Sequence, residues 1–402
     1  MKSHGVSVHL VERSGIGYRR AIVRRGSPYR SLGEALSLKD NSLNFMRLVL
    51  AISVIVSHVY DLSRAQIAIF HNGELGSVAV FGFFGISGYL IARSAETHGT
   101  LRFLWMRALR IFPGFWVALL MTAFFFGPIV WLVIHRGTPH AGLGHYFSPT
   151  RHIFLPTTSP VNYVLSNWWL EMRQIWISGT MHNGSLWTLY YEFICYLVLA
   201  GLALVGLLRR RLSVVVLTGG IFVAIGAIAL VPGWNSHFNV FYNWVPMNIL
   251  KFLAVFLVGT LLYLYRDSVP DSGWLAIGCS AVAYGSLWLT PSTDRLALCI
   301  TITQVFIPAL VYPVLWLGAH LPFRRVGTVH DYSYGVYLYG FPVQLFVIAL
   351  LDQHWPRPVV LVLTLLLTVP FALASWWVVE RNALRLKSLS LRRSSASDAE
   401  AG

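Results

Sequence analysis

Long apolar runs separated by short polar breaks dominate the chain. Ten of these runs are roughly 18 to 24 residues long, the length that an α-helix needs to cross about 30 Å of hydrocarbon. They cover residues 43–63, 75–92, 111–134, 186–207, 212–231, 246–265, 273–290, 298–318, 333–351 and 358–380. The pattern predicts an all-α, polytopic membrane protein with about ten transmembrane helices.

The polar ends of the chain differ from this central domain. Residues 1–42 hold eight Lys and Arg and no apolar core, which is typical of a flexible basic tail and not of a cleavable signal peptide. Residues 43–380 form the predicted transmembrane domain. Residues 381–402 form a second tail, and its final small, polar residues have the composition of a disordered segment. An even number of spans places the N- and C-termini on the same side of the membrane. Because the N-terminal tail is basic, we expect that side to be the cytoplasm.

The composition agrees with a membrane protein, and the distribution of the basic residues explains the net positive charge. Hydrophobic residues make up 56% of the chain and charged residues 12%, and the mean hydropathy is +0.61. The net charge of +15 is compatible with a nucleic-acid partner, but 23 of the 31 Lys and Arg fall on the predicted inner side and 6 on the outer side. This is the positive-inside pattern, and no base-reading module accompanies it. We therefore expect a lipid bilayer and no nucleic acid as partner.

Cysteine usage and short motifs exclude several soluble-enzyme classes. Cys195, Cys279 and Cys299 all fall within predicted spans, and an odd set of embedded thiols favours packing over a disulfide framework or a metal site. The chain contains no CxxC, HExxH, GxxxxGK[ST] or GxSxG pattern. We expect no metal.

Ionisable residues inside the predicted spans are the first candidates for chemistry, because such groups cost several kcal/mol unless they pair or line a wet cavity. Arg47 lies near the inner end of the first span, and at 1.5 Å per residue His58 lies about 16 Å further out. The same counting predicts that Glu192 and Lys251 lie at the depth of His58. Asp61, three residues after His58 on the same helical face, can fix the tautomer of the imidazole.

Arginines cluster at the predicted inner face. Arg93, Arg102, Arg107 and Arg110 lie between the second and third spans, and Arg47 projects to the same level. Guanidinium groups bind phosphates through forked, charge-assisted hydrogen bonds. The alternative is ordinary positive-inside anchoring of the helices.

Six short motifs, taken in their order along the chain, resemble those of a known family. They are R-x10-H (Arg47 and His58), FFGISGY (83–89), RALRIFP (107–113), GSLWTLYYE (184–192), YSYGVYLYGFPVQ (332–344) and WWVVERNALRLKSL (376–389). Over roughly residues 40 to 390 this series resembles the acyltransferase-3 family of integral membrane acyltransferases.

The resemblance implies an acyl-CoA-dependent O-acyltransferase. Such an enzyme transfers an acyl group, usually acetyl, from cytoplasmic acetyl-CoA to a hydroxyl of a cell-surface or lipid-linked saccharide at the outer face of a bacterial inner membrane. Position by position, the resemblance implies His58 and Glu192 as catalytic residues. It implies Arg47, Arg107 and Arg110 as residues that bind the donor.

The chain departs from the family pattern at two places. Gly340-Phe341-Pro342 stands where many members have His-Trp-Pro, so a mechanism that needs a histidine in the ninth span is excluded. Asn382 follows Glu380 and Arg381 where a proline is frequent. We interpret both as variation within a subgroup.

Each candidate also has a simpler structural interpretation. His58 fits a general base, because acyl transfer requires a proton to be taken from the acceptor hydroxyl, but it can also be a helix-packing histidine. Glu192 can orient His58, contact the acceptor, or form an ion pair with Lys251. In FFGISGY, close helix approach is the simplest role, and a contact of Ser87 with the donor is the functional one. The supporting or substrate-binding candidates are Asp61, Ser87, Trp187, Lys251 and Tyr337.

The long predicted outer segment 135–185 leaves further alternatives. Its NWWLEMRQIW stretch favours an amphipathic helix lying on the membrane, while its tryptophans also suit stacking on a sugar. The Asn183-Gly184-Ser185 sequon is interpreted as a cap and turn. Two other functions also stay open: a multi-span exporter of a glycan or lipid, although no repeated halves are visible, and an O-acyltransferase of a small macrolide-like metabolite.

Overall fold

A computed structural model describes most of the predicted membrane domain. The described residues are 29–36, 40–62, 75–139, 142–147, 159–170, 176–177, 180–181, 183–230, 245–288, 302–351 and 355–388. Cys299, the side chains of Asp61 and Trp176, and most of the two predicted tails lie outside this part of the chain.

The regular secondary structure of the described residues is helical apart from one pair of two-residue strands, β1 (Trp176–Ile177) and β2 (Thr180–Met181). The α-helices are α1 (Leu32–Ala35), α2 (Leu43–Leu62), α3 (Leu75–Thr97), α4 (Thr100–Met121), α5 (Gly127–Ile134), α6 (Leu143–Phe147), α7 (Pro160–Asn167), α8 (Thr188–Leu204), α9 (Arg211–Leu230), α10 (Val245–Leu264), α11 (Gly273–Trp288), α12 (Val311–His320), α13 (Ser333–Leu351), α14 (Arg357–Ala374) and α15 (Arg381–Arg385). Two π-helical turns, Thr122–Phe126 and Ser375–Glu380, and three 3₁₀ turns, Leu207–Arg209, Ile307–Leu310 and Leu386–Ser388, complete them.

Seven helical stretches among the described residues are long and apolar enough to cross a membrane. They are Leu43–Tyr60, Leu75–Thr97, Thr100–Ile134, Met247–Leu264, Ile302–His320, Ser333–Leu351 and Arg357–Arg385. Two shorter apolar helices, Thr188–Leu204 and Arg211–Ala227, accompany them. An all-helical membrane protein is therefore confirmed. The number of ten spans and the side on which the termini lie stay predictions.

Helix α3 is the centre of the bundle because its glycines let neighbouring helices approach closely. A side chain at Gly88 would collide with the Phe256 carbonyl of α10, and one at Gly259 of α10 would collide with the Gly85 carbonyl. Thr260 on α10 donates a hydrogen bond to the Gly88 carbonyl at 3.3 Å. Small residues bring membrane helices together in this way. The packing role predicted for FFGISGY is confirmed.

The antiparallel pair α2 and α3 gives a height scale for the bundle. Gly76, near the start of α3, lies against Ser57, and Gly82 lies against Leu50. Ser87 is eleven residues beyond Gly76, which places it about 16 Å along the axis from the level of Ser57. We name the end of the bundle where α3 ends and α4 begins the α3–α4 end.

The segment before α8 enters the bundle instead of covering its surface. Asn183 is fully buried, and its side-chain amide donates to the Leu338 carbonyl of α13 at 3.1 Å and to Thr122 Oγ1 at 3.3 Å. Pro342 has no N–H to pair with the Leu338 carbonyl, so Asn183 takes the place of that missing helical bond. Its Oδ1 accepts from the Ser185 backbone N–H at 3.2 Å. The turn predicted for this sequon is confirmed, but the predicted cap is wrong, because the N-cap of α8 is Trp187 and no side chain caps it.

Non-helical backbone at this depth requires partners inside the protein. The hydroxyl of Tyr337 donates to the Ser185 carbonyl at 2.7 Å, and Thr188, the first residue of α8, hydrogen-bonds to the same hydroxyl. Helix α8 therefore begins at the level of the second turn of α13. It does not start at an end of the bundle.

The described part of the long segment 135–185 packs on α4. Trp168 stacks on Trp116 with ring centroids 5.1 Å apart, and its carbonyl accepts from the Trp116 indole N–H at 2.9 Å. Tyr146 and Tyr163 are both fully buried, and Tyr146 donates to the Ala123 carbonyl in the first π-helical turn. Trp168 thus belongs to the bundle, whereas Trp169 is 69% exposed.

Part of the predicted flexible tail is docked. Ser31 and Glu34 form a capping box at the start of α1, and Leu32 is fully buried. The backbone N–H groups of Leu32 and Gly33 donate to the carbonyls of Val269 and Arg266, at 2.9 and 3.0 Å. Residues 31–36 therefore pack against the turn between α10 and α11.

Candidate active site

A layer of paired charges crosses the bundle. One oxygen of Asp331, Oδ2, contacts Nη1 of Arg47 at 2.7 Å and Nη2 of Arg110 at 2.5 Å. Arg110 Nη1 also contacts Glu380 Oε2 at 3.2 Å, and the Glu380 side chain is 2% exposed. Arg47 and Arg110, which we name the paired arginines, thus share Asp331, and Arg110 has Glu380 as a second partner; buried charges require such partners.

A serine donates hydrogen bonds to each of the two carboxylates, Asp331 and Glu380. The backbone N–H and the hydroxyl of Ser333 donate to Asp331 Oδ1 at 3.2 and 2.5 Å, and the Ser375 hydroxyl donates to Glu380 Oε1 at 3.0 Å. Burial acts to raise the pKa of Asp331, but Arg47, Arg110 and the Ser333 hydrogen bonds outweigh it and lower the pKa to about 2. Asp331 is therefore ionised at neutral pH, and the ion pairs are fully charged.

A second group of cations lies nearer the α3–α4 end. Arg102, Arg107 and Lys387, which we name the unpaired cations, form no ion pair or hydrogen bond with any described residue. The Nε atoms of Arg102 and Arg107 are buried without an acceptor among these residues. Arg107 lies one helical turn from Arg110, so the paired and unpaired groups are adjacent.

A cavity adjoins the paired layer on the other side, between α2, α3, α8 and α13. Its empty volume is about 420 Å³, including space that is open to solvent. Phenylalanines of α3 and Leu189 form its apolar walls. Its polar lining comes from Arg47, Thr188, Glu192, Ser333, Tyr334 and Tyr337. Apolar walls with a few convergent polar groups are typical of a substrate pocket.

Glu192 is an acidic group of this cavity, and its position corrects a prediction. Its Oε1 accepts from the Ser87 hydroxyl at 3.1 Å and from the Tyr196 hydroxyl. Because Ser87 lies about 16 Å below the level of Ser57, Glu192 lies with Arg47 and not at the depth of His58. The predicted common depth is wrong because α8 begins inside the bundle, so that residues counted from an outer surface give the wrong height. Direct orientation of His58 by Glu192 is wrong for the same reason.

His58 lies on the same face of α2 as Arg47, three turns away. Its ring meets Phe341 of α13 edge-on, with centroids 4.9 Å apart. Phe341 occupies the position where the family pattern has an aromatic residue beside its second histidine, and the contact keeps α13 against His58.

The remaining candidates have mixed placements. Tyr337 lines the cavity and bonds the turn before α8. Trp187 is half-buried and packs edge-on against Tyr191 with centroids 5.5 Å apart, a supporting contact beside the cavity. Lys251 forms no ion pair with any residue that the structure describes, so the predicted alternative of a Glu192–Lys251 pair is wrong. The side chain of Asp61 lies outside the described residues.

Sequence reasoning missed three residues of this region: Asp331, Glu380 and Lys387. Asp331 immediately precedes the YSYGVYLYGFPVQ motif, and the other two lie within WWVVERNALRLKSL. A signal was available, because the chain has only 16 acidic residues against 31 basic ones, and two of the acids adjoin motifs beside arginine-rich segments. Within the described part of the chain, no group of three or more His, Cys, Asp or Glu could hold a metal ion.

Comparison with known proteins agrees with the motif series. The sequence profile described as an acyltransferase domain, acyltransferase-3, matches residues 40–377. The chain is 31% identical to an O-acetyl transferase of Shigella phage Sf6 over 362 residues, which cover 88% of this chain and 98% of the phage protein. It is 26% identical to nodulation protein 10 of Rhizobium leguminosarum bv. viciae over 384 residues, 88% of this chain and 96% of that protein. No solved structure matches significantly. The chain therefore belongs to the acyltransferase-3 family of integral membrane acyltransferases.

Proposed function

We propose that the protein is an O-acyltransferase that moves an acyl group, acetyl in the first instance, from acyl-CoA to a hydroxyl of a cell-surface or lipid-linked saccharide. The observation that carries the proposal is the cavity. Arg47 and Glu192, two of the residues that the family motifs single out, lie in its wall although they come from different helices. Beyond it along α2 lies His58.

The direction of transfer rests on the charges. Arg93, Arg102 and Arg107 lie towards the α3–α4 end, and an excess of cations marks the cytoplasmic side of a membrane protein. The α3–α4 end is then cytoplasmic, as are both termini, and His58 lies towards the outer face. A bacterial inner membrane is the matching location.

The donor site takes its chemistry from the arginines, Arg47, Arg107 and Arg110. The residues present fit a phosphate-bearing donor, because the Nε of Arg107 is buried without an acceptor in the described structure and phosphate oxygens are strong acceptors for guanidinium groups. Acyl-CoA supplies an activated thioester. The distance of about 16 Å between the levels of Arg47 and His58 suits a donor with a long extended arm, and the cavity lined by Arg47 and Glu192 holds the part of the arm nearest Arg47.

The reaction needs a proton acceptor and an electrostatic guide. His58 takes the proton of the acceptor hydroxyl as its oxygen attacks the thioester carbonyl. The carbon–sulfur bond breaks, the ester carbon–oxygen bond forms, and the proton passes to the departing thiolate. Glu192, held by Ser87 and Tyr196, accepts hydrogen bonds from substrate groups in the cavity.

The proposal is tested with purified protein, acetyl-CoA labelled in the acetyl group, and a panel of surface and lipid-linked saccharides. Wild type is expected to label a saccharide, and His58→Ala to abolish labelling while inserting normally. His98→Ala is the matched control, because His98 bonds only local groups at the end of α3 and its loss is expected to leave transfer unchanged.

Other outcomes identify which part of the proposal fails. Labelling of a macrolide-like metabolite and of no saccharide would make the acceptor class wrong. Passage of unmodified glycan across vesicles without labelling would favour an exporter. Full activity of a well-expressed His58→Ala protein would remove His58 from the mechanism.

A further inference from the structure

The charge balance around the paired layer is uneven. Among the described residues, three carboxylates adjoin this layer, together with five cations: Arg47, Arg102, Arg107, Arg110 and Lys387. Asp331 and Glu380 are both engaged by the paired arginines. The third, Glu192, acts on Arg107 electrostatically but forms no ion pair with it. The net excess is thus two positive charges, and three cations, Arg102, Arg107 and Lys387, form no ion pair with a described residue.

The surplus lies on one side of the layer. Arg107 projects from α4 over the ring of Phe103, with its guanidinium carbon 5.9 Å from the ring centroid. Arg102 lies a turn and a half further towards the α3–α4 end, and its Nε is also buried without an acceptor in the part of the chain described. Burying such donors without an acceptor is unfavourable, and more so when they are charged. A bound anion would supply the missing acceptors.

Lys387 adds a third cation from another part of the chain. It lies in the 3₁₀ turn Leu386–Ser388, which packs against α4, and it is half-buried. Burial, Arg107 and Arg110 all act on its ammonium group and lower its pKa to about 8. Like charges repel, so a turn that packs this lysine against the helix of Arg107 and Arg110 is unfavourable by itself, and an anion bound by these cations would relieve the repulsion.

We propose that Arg107 and Lys387, with Arg102 at the rim, form the phosphate-binding subsite of the donor, and that Lys387 is a ligand of that phosphate. The paired arginines then lie beside this subsite within the donor site, as weaker phosphate ligands, because Asp331 and Glu380 already balance their charge. This inference rests on the proposed function, because it takes the phosphate to be that of acyl-CoA.

Depth favours the donor over an anionic lipid as the source of the phosphate. Arg107 is seven residues beyond Thr100, which places it about 10 Å inside the α3–α4 end. It is also only one turn from Arg110 of the paired layer. A lipid headgroup stays at the membrane surface, whereas a soluble nucleotide can enter between helices and direct its arm into the cavity.

The test measures binding, and therefore does not depend on turnover. Coenzyme A is titrated by calorimetry into purified protein in nanodiscs of phosphatidylcholine, for wild type, Lys387→Gln, Lys387→Arg and Arg385→Gln. Arg385 is exposed on the neighbouring turn and is the matched control for loss of one positive charge. We expect Lys387→Gln to weaken binding about tenfold, Lys387→Arg to restore most of it, and Arg385→Gln to change it less than twofold.

Each contrary result has its own meaning. If wild type binds coenzyme A and Lys387→Gln binds it equally well, the phosphate subsite is wrong while the donor assignment stands. If wild type does not bind coenzyme A at all, the donor assignment in the proposed function fails, and this inference fails with it. If Lys387→Gln loses only co-purifying phosphatidylglycerol and keeps its affinity for coenzyme A, the site belongs to a lipid and the inference is overturned.

Discussion

Two groups of cations lie one helical turn apart and differ in whether the fold supplies them with carboxylate partners. The paired arginines, Arg47 and Arg110, share the carboxylates of Asp331 and Glu380 at 2.5 to 3.2 Å. The unpaired cations, Arg102, Arg107 and Lys387, have no such partners in the described part of the chain. The difference teaches that a conspicuous arginine in a motif is not by itself a ligand. A guanidinium already bound to a carboxylate stabilises the protein, and one without a carboxylate is available to a substrate.

The largest effect is expected where the pairing is broken. Asp331→Ala leaves two guanidinium groups that are 15 to 20% exposed: Arg47 loses its one ion-pair partner among the described residues, and Arg110 keeps Glu380. Removing one partner of a buried pair costs about 3 to 5 kcal/mol. We expect a large fall in the thermal unfolding temperature in detergent, together with loss of transfer activity.

The control for this variant is the pair Arg324–Asp40, which has the same 2.5 Å separation but is 47 and 60% exposed. Exposed pairs contribute about 0 to 1 kcal/mol, so Asp40→Ala is expected to leave the unfolding temperature nearly unchanged. Equal losses in the two variants would show that burial does not distinguish the pairs.

The second prediction compares the two groups directly by donor affinity. Arg107→Ala is expected to weaken binding of coenzyme A by about 1.5 to 3 kcal/mol, the scale of a hydrogen bond to a charged group. Arg47→Ala is expected to have a clearly smaller effect, because Asp331 already balances its charge. Calorimetric titration of both variants measures the difference. An equal or larger loss in Arg47→Ala would mean that the donor phosphate reaches the paired layer.

The third prediction concerns pH. Lys387 has a pKa of about 8 without ligand, and a bound phosphate raises it, so the favourable interaction is fully present below pH 8 and is lost as pH rises through 8 to the pKa of the bound state. The dissociation constant of coenzyme A is therefore expected to rise about tenfold between pH 7 and pH 9, since one pH unit corresponds to 1.36 kcal/mol.

Groups near Lys387 do not account for this slope. The charged residues of α4 and α15, which pack against its turn, are all arginines, and arginines keep their charge over this range. Lys387→Arg is accordingly expected to remove the pH dependence. A slope that persists in that variant would assign it to another group.

The smallest effect is expected from Glu380→Gln. Arg110 keeps Asp331 at 2.5 Å, and a glutamine oxygen can still accept from Arg110 and Ser375. We expect a loss of about 1 kcal/mol, the net worth of one hydrogen bond, measured as a small fall in the thermal unfolding temperature. The matched variant is Asp331→Asn, and an equal loss in the two would mean that both carboxylates contribute equally to the paired layer.

The sequence predicts the class of fold well because one property decides it. Runs of apolar residues must be helical in a bilayer, where backbone groups need internal partners, and the helices α2, α3, α10 and α13 follow the predicted spans closely. The placement of Arg47 and His58 on one face of α2 follows from helical periodicity alone.

The vertical placement of Glu192 could not be predicted in the same way. Hydropathy counts residues along the chain, but the start of α8 is set by Asn183, Thr188 and Tyr337, which join segments about 150 residues apart. The carboxylate partners of the paired arginines could not be predicted for a similar reason. Asp331 lies 284 residues from Arg47, and nothing local in either segment indicates the other.

That separation has a consequence for how the protein is made. Ribosomes add about 5 to 20 residues per second, so Arg47 waits on the order of tens of seconds in the membrane before Asp331 exists. Asn183 likewise waits for the Leu338 carbonyl, 155 residues later in the chain. The early helices must therefore stay loosely associated, or shielded by the insertion machinery, until α13 arrives. A chain that stops before Asp331 leaves Arg47 without its carboxylate partner among the described residues, at a cost of several kcal/mol inside the bilayer.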